Sequence, residues 1–152
     1  MAEPDKSALA ATLAALEAER DIYARVLDLS RQGRELAAAA RSEELLTVLA
    51  EKGRLSDQAG AFAEKTRELK AGWNGLAPAL AADQRERGAR LLAEVRELLG
   101  KIIAEDDECQ KLLASRRDGS LEEMLRVQQG RRMNQAYGRK SATSPKFKDE
   151  KK

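Results

Sequence analysis

Residues 91–113 read LLAEVRELLGKIIAEDDECQKLL, and their spacing decides the fold class. Leu91, Leu92, Val95, Leu98, Leu99, Ile102, Ile103, Cys109, Leu112 and Leu113 return mostly at steps of three and four, the period of one helix face. The helix is predicted to start near Asp83 and to stop at Asp118-Gly119-Ser120, with Gly119 suited to the left-handed position after a last turn.

Working upstream, Leu45, Leu49, Leu55, Ala59, Phe62, Thr66, Leu69 and Trp73 make a second seam, with Lys52 filling the gap after Leu49. Its repeat is close to that of a coiled coil. Ser42 is read as its hydroxyl cap, followed by Glu43 and Glu44 at the positive end of the helix dipole. The cluster Gly72-Trp73-Asn74-Gly75 with Pro78 is read as the loop to the third helix. A first helix begins at Asp5 or Ser7 and carries Leu9, Leu13, Leu16, Tyr23 and Leu27 on one face. Ile22, Val26, Leu29 and Leu36 broaden that stripe. Gly33, Gly53, Gly60, Gly88 and Gly100 fall inside these helices, each costing roughly 1 kcal/mol relative to Ala, and are expected to mark close helix contacts or frayed turns.

Downstream, Ser120-Leu121-Glu122-Glu123 has capping-box spacing and opens a short helix with Leu121, Met124, Leu125 and Val127. It turns polar and Arg-rich by Gly130, and from Lys140 the chain reads KSATSPKFKDEKK, a disordered basic tail by composition. The expected architecture is all-α: an antiparallel, coiled-coil-like bundle of three long helices over residues 1–118, a short C-terminal helix over 119–139 and a tail over 140–152.

Composition narrows the function. Among 152 residues there is no His and a single Cys, which removes the commonest general base and metal ligand and excludes a disulfide within the chain. No apolar run approaches the ~20 residues of a membrane span, and the N-terminus lacks the basic start and continuous apolar core of a signal peptide. The expectation is a cytoplasmic protein, not an enzyme, with no cofactor, metal or small-molecule substrate. Residues 1–115 hold 17 basic and 21 acidic side chains and residues 116–152 hold 11 and 5, so an acidic bundle carries a basic end.

Each conspicuous residue has a plain alternative. Glu105-Asp106-Asp107-Glu108 is the densest acid cluster, but consecutive helical residues diverge by about 100° and cannot converge on one ion; it reads as a solvated face with one acid near the seam. Cys109 is read as a small core hydrophobe, and Tyr23 as core with its hydroxyl near an edge. Trp73 is either a plug at the bundle's open end or a ligand-stacking residue. Arg116, Arg117, Arg126, Arg131, Arg132, Arg139 and Lys140 make a basic stretch of the kind that meets phosphate, yet only Tyr137 and Phe147 are at hand to stack on bases. The same segment offers Leu121, Met124, Leu125, Val127, Met133 and Tyr137, apolar residues beside arginine that suit recognition of a partner helix.

Three stretches carry a resemblance. They are Leu16-x-x-Glu19-x-x-x-Tyr23-x-x-x-Leu27-x-Leu29, Glu44-Leu45-x-x-x-Leu49-x-x-Lys52-x-x-Leu55, and Gly130-Arg131-Arg132-Met133-Asn134-Gln135-Ala136-Tyr137-Gly138. In this order the chain resembles the FlgN-type flagellar export chaperones over residues 7–138, with the Arg density after Arg116 and the KFKDEKK tail as departures. The resemblance implies a cytoplasmic all-helical chaperone for hook-associated (hook–filament junction) proteins awaiting type III secretion. It also implies client binding through the C-terminal helix, at Leu121, Met124, Leu125, Val127, Met133 and Tyr137, with Arg131 beside them to meet client acids. Export-apparatus components and a second copy of the chain are further candidate partners. The competing readings are a homo-oligomeric coiled-coil adaptor without a client and a weak nucleic-acid binder using the basic end.

Overall fold

Four α-helices follow one another: α1 over Lys6–Ala38, α2 over Ser42–Leu76, α3 over Ala82–Ser115 and α4 over Gly119–Tyr137, with a 3-10 turn at Ala77–Ala79 between α2 and α3. The computed structural model describes residues 6–116 and 118–137; the side chains at 6, 132, 133 and 135–137 lie outside that description, as does the whole segment 138–152 on which the tail reading falls. The three long helices predicted from apolar period are therefore found, followed by the short fourth.

α1 is the central member and packs along both α2 and α3. α2 and α3 keep their backbones apart and meet through long side chains, Lys52 reaching Asp106 at 2.6 Å and Trp73 lying over Gly88. α4 lies against α2 and α3 at the end where α2 begins and α3 finishes. Ion pairs fix the register of α1 against α3: Arg20 to Glu94 at 2.6 Å, Arg87 to Glu17 at 2.8 Å and Arg34 to Glu105 at 2.5 Å.

The interior falls into two clusters. The larger takes Leu13, Leu16, Tyr23 and Val26 from α1, Leu55 and Leu69 from α2, and Leu91, Val95 and Ile102 from α3. The smaller takes Ala37, Leu45, Leu49, Cys109 and Leu113 and is completed by Leu121 and Leu125 of α4. Burying one such Leu contributes about 1.5–3 kcal/mol, so Leu121 and Leu125 are a substantial part of what holds α4 among the described residues.

The turns depart from the sequence reading. Gly72-Trp73-Asn74-Gly75 is not a loop: α2 runs through it to Leu76, and the break comes at Pro78 inside the 3-10 turn. Packing of the Trp73 ring against the larger cluster offsets the helix cost of the two glycines. Ser42 does not cap α2, since its hydroxyl bonds to Asp118 Oδ2 at 3.2 Å and the helix start has no side-chain cap. Gly119 is not a left-handed stop but the first residue of α4, and Asp118 rather than Ser120 stands before that helix, accepting from the Glu122 N–H at 3.0 Å. The left-handed residue is Ala40, with φ of 58°, in the turn from α1 to α2. Tyr23 is fully buried, its hydroxyl included, rather than set at an edge.

Candidate partner-binding surface

α4 is anchored by one face. Leu121 and Leu125 enter the smaller cluster, and one turn on Gln128 is 7% exposed, its Nε2 donating to the Leu49 carbonyl at 2.7 Å. The amide fits there because residue 53 is glycine: a Cβ on Gly53 would stand 3.2 Å from Gln128 Nε2. Two flanks complete the seat. Toward α3, Gln110 donates to the Glu122 carbonyl at 3.0 Å and Gln129 to Asp107 at 3.1 Å. Toward α2, Arg131 meets Asp57 at 2.6 Å.

The seven residues expected to bind a partner are thus divided. Leu121 and Leu125 are buried inside the chain, Met124 is half-buried against the same cluster, and Val127 and Arg131 are exposed. Positions 133 and 137 lie in α4, with side chains outside the described residues. The structure does not bring all seven to one open face, because the strongest apolar pair of α4 is the pair that holds it down.

Of the basic end, the arginines whose side chains are described are committed. Arg126 pairs with Glu122 and Glu123 at 3.0 and 3.3 Å, Arg131 with Asp57, and Arg116 donates to the Ala38 carbonyl at 2.6 Å. Arginines already paired to carboxylates and carbonyls present less free charge to a phosphate backbone.

The four consecutive acids point to four different partners, as their helical divergence requires: Glu105 to Arg34, Asp106 to Lys52, Asp107 to Gln129 and Glu108 to Lys111. Cys109 is buried, its thiol 3.7 Å from the Gly33 carbonyl, and burial pushes its pKa up to about 11. It is placed as core, not as a nucleophile. At the surface, the Arg87 hydrogen bond holds the Glu17 carboxyl below its usual range, and Arg54 does the same for Glu51.

Three features escaped the sequence reading. Leu46 is 47% exposed beside Leu45, at the end of α2 that seats α4; it and Val127, at 49%, are the large apolar residues left in water among those described. The buried polar ties are a second. Glu19 accepts from Thr66 at 2.8 Å and from Lys70 at 2.6 Å, and Lys52 meets Asp106 with both side chains within 1% of full burial. Their sequence signal was a charged residue in seam register. Third, Trp73 is a wedge between α2 and α3, and a Cβ on Gly88 would come within 2.2 Å of its ring.

Among the described residues no group of His, Cys, Asp and Glu is placed to hold a metal, and no helix is long and apolar enough to cross a membrane. Three long helices with a short fourth laid against α2 and α3 define the class of small all-α bundle proteins. The sequence pattern of the FlgN protein family matches residues 1–145, and the chain belongs to that family. It is a flagellar export chaperone for hook-associated proteins, without enzymatic activity, and chaperones of this family are cytoplasmic. Searches of curated proteins and of solved structures each returned no match.

Proposed function

We propose that this chaperone recognises the terminal helical segment of its hook-associated client through α4, using Leu121, Met124, Leu125, Val127, Arg131, Met133 and Tyr137. The observation that supports this reading most is the exposure of Val127 on α4, with Leu46 at the end of α2 that seats it. An isolated client segment has an apolar stripe with nothing to cover it and is marginal as a helix in water. Docking beside α4 buries that stripe, blocks self-association and keeps the client export-ready. Arg131 and its neighbours steer acidic client segments toward the site. Leu121 and Leu125 take part only when α4 lifts from its seat.

The test is titration of a purified hook-associated protein into the full-length chaperone and its Val127→Glu variant. A charge on the exposed flank is expected to weaken binding at least tenfold while the helical circular dichroism stays unchanged. Equal affinity for the two proteins would move the site off α4. Export-apparatus components, which would receive the client, and a homodimer complete the proposed partners; sedimentation across a hundredfold concentration range reads the latter.

A further inference from the structure

The fourth place in the bundle is only partly filled. α4 has 19 residues where α2 and α3 have 35 and 34. Arg131 stands beside Asp57, so Tyr137, about 9 Å further along at 1.5 Å per residue, comes level with residue 63 or so of α2. From there to Asn74 the side of α2 and α3 on which α4 lies continues for roughly 16 Å, about three helical turns. In that stretch lies a groove of about 420 Å³. Trp73, Leu92, Val95 and Leu99 give it an apolar floor. Its only ionisable lining residues are Lys70 and Arg96, both cations; Lys70 is held by Glu19, and Arg96 has no ion pair among the described residues.

We propose that this groove is a second docking surface, taking an acidic amphipathic helix of about three turns end to end with α4. The partner's identity as a hook-associated client rests on the chaperone reading above. Two observations select a foreign acidic helix over the chain's own end. The groove is lined by α2 and α3, the two helices that also seat α4, so a helix laid there adds a second segment to the fourth place of the bundle. Residues 138–152 have six basic against two acidic side chains and a proline at 145; that segment carries the same sign as the groove and breaks the helix the groove asks for.

Trp73 is the sole tryptophan of the chain and lies in the floor, so its emission reads occupancy directly. The probe is an 18-residue helix-forming peptide whose central three turns carry a leucine stripe flanked by Glu, compared with the same stripe flanked by Lys. Titrated into the full-length protein, the Glu-flanked peptide is expected to shift Trp73 emission saturably and to bind at least tenfold more tightly. That preference shrinks in Arg96→Glu, and binding is lost in Ala93→Glu, a change at an exposed position that leaves the helical signal intact. Equal affinity for the two peptides, or undiminished binding by Ala93→Glu, overturns the proposal. So does a Trp73 shift produced without peptide by raising protein concentration, which assigns the groove to a second copy, or by deleting residues 140–152, which assigns it to the tail. The hook-associated client separates the two readings. Weaker affinity of the client for Ala93→Glu than for wild type supports the groove as its second contact; equal affinity removes the client from the groove and keeps the chaperone role on α4. Capture by neither removes this chain's client role, and the peptide titration alone then decides the groove.

Discussion

Lys52 and Asp106 are the residues whose removal should tell most. Their 2.6 Å contact lies between α2 and α3 with both side chains out of water. Removing one partner strands a buried charge, at a cost of about 3–5 kcal/mol, whereas replacing both by apolar groups of similar volume is often neutral or better. Lys52→Met and Asp106→Leu are therefore each expected to lower the urea midpoint sharply, and the double variant to recover most of the loss. A double variant no more stable than either single variant would show that the pair is a net source of stability. Neither member announced its partner in the sequence: Lys52 filled a gap in a leucine seam and Asp106 was the one acid of its cluster near the seam of another helix. Pairing information lives in the packing of two helices, and apolar period along one helix does not contain it.

For single helices the period was a good guide, and the ends of the helices were not. The seam Leu91 to Leu113 fixed α3 almost to its boundaries because every third or fourth residue had to be covered. Gly72 and Gly75 looked like a loop because turn chemistry is judged locally, while the force keeping them helical is Trp73 packed across on α3. Conversely, nothing in Ala37-Ala38-Ala39-Ala40-Arg41 advertises a left-handed residue, yet Ala40 is one. The two α3 glycines separate packing from propensity within one element. A Cβ placed on Gly100 would meet nothing within 4 Å, whereas one on Gly88 would meet the Trp73 ring at 2.2 Å. Gly100→Ala should stabilise by about 0.5–1 kcal/mol. Gly88→Ala should destabilise despite the same gain in propensity, because the ring must leave its place. Thermal unfolding followed at 222 nm gives the comparison, and a Gly88→Ala variant as stable as Gly100→Ala would mean that Trp73 holds nothing. The candidate site was legible as a segment and not as a surface: the apolar residues of α4 could be named, but which of them face inward depends on Leu45, Leu49 and Gly53 of another helix.

At the scale of the whole molecule, Cys109 reports on the smaller cluster that α4 closes. Its pKa is raised from an ordinary value of 9.0 to about 11. Below about pH 9 the thiol is neutral in folded and unfolded chains alike, and its contribution to stability is fully present. Between about pH 9 and about pH 11 the unfolded chain releases the proton that the folded one retains, so stability falls across that window as pH rises. Urea midpoints at pH 8 and pH 10.5 should show the fall in the wild type and a smaller one in Cys109→Ala. At pH 8 the thiol should resist alkylation in the full-length chain and react much faster once residues 119–152 are removed, since Leu121 and Leu125 no longer complete its surroundings. Slow alkylation in both would mean that the cluster closes without α4.

The central position of α1 also has a kinetic meaning. Its partner α2 follows after a turn of a few residues, but α3 reaches it across the full length of α2, as the Arg20–Glu94 and Glu17–Arg87 pairs make plain. Contacts of short sequence separation close early and distant ones late. As the chain leaves the ribosome, the α1–α2 hairpin therefore forms first and waits with one flank of α1 uncovered until α3 is synthesised. During that interval the nascent chaperone itself exposes an unmatched apolar flank and has the same need of cover as the proteins it escorts.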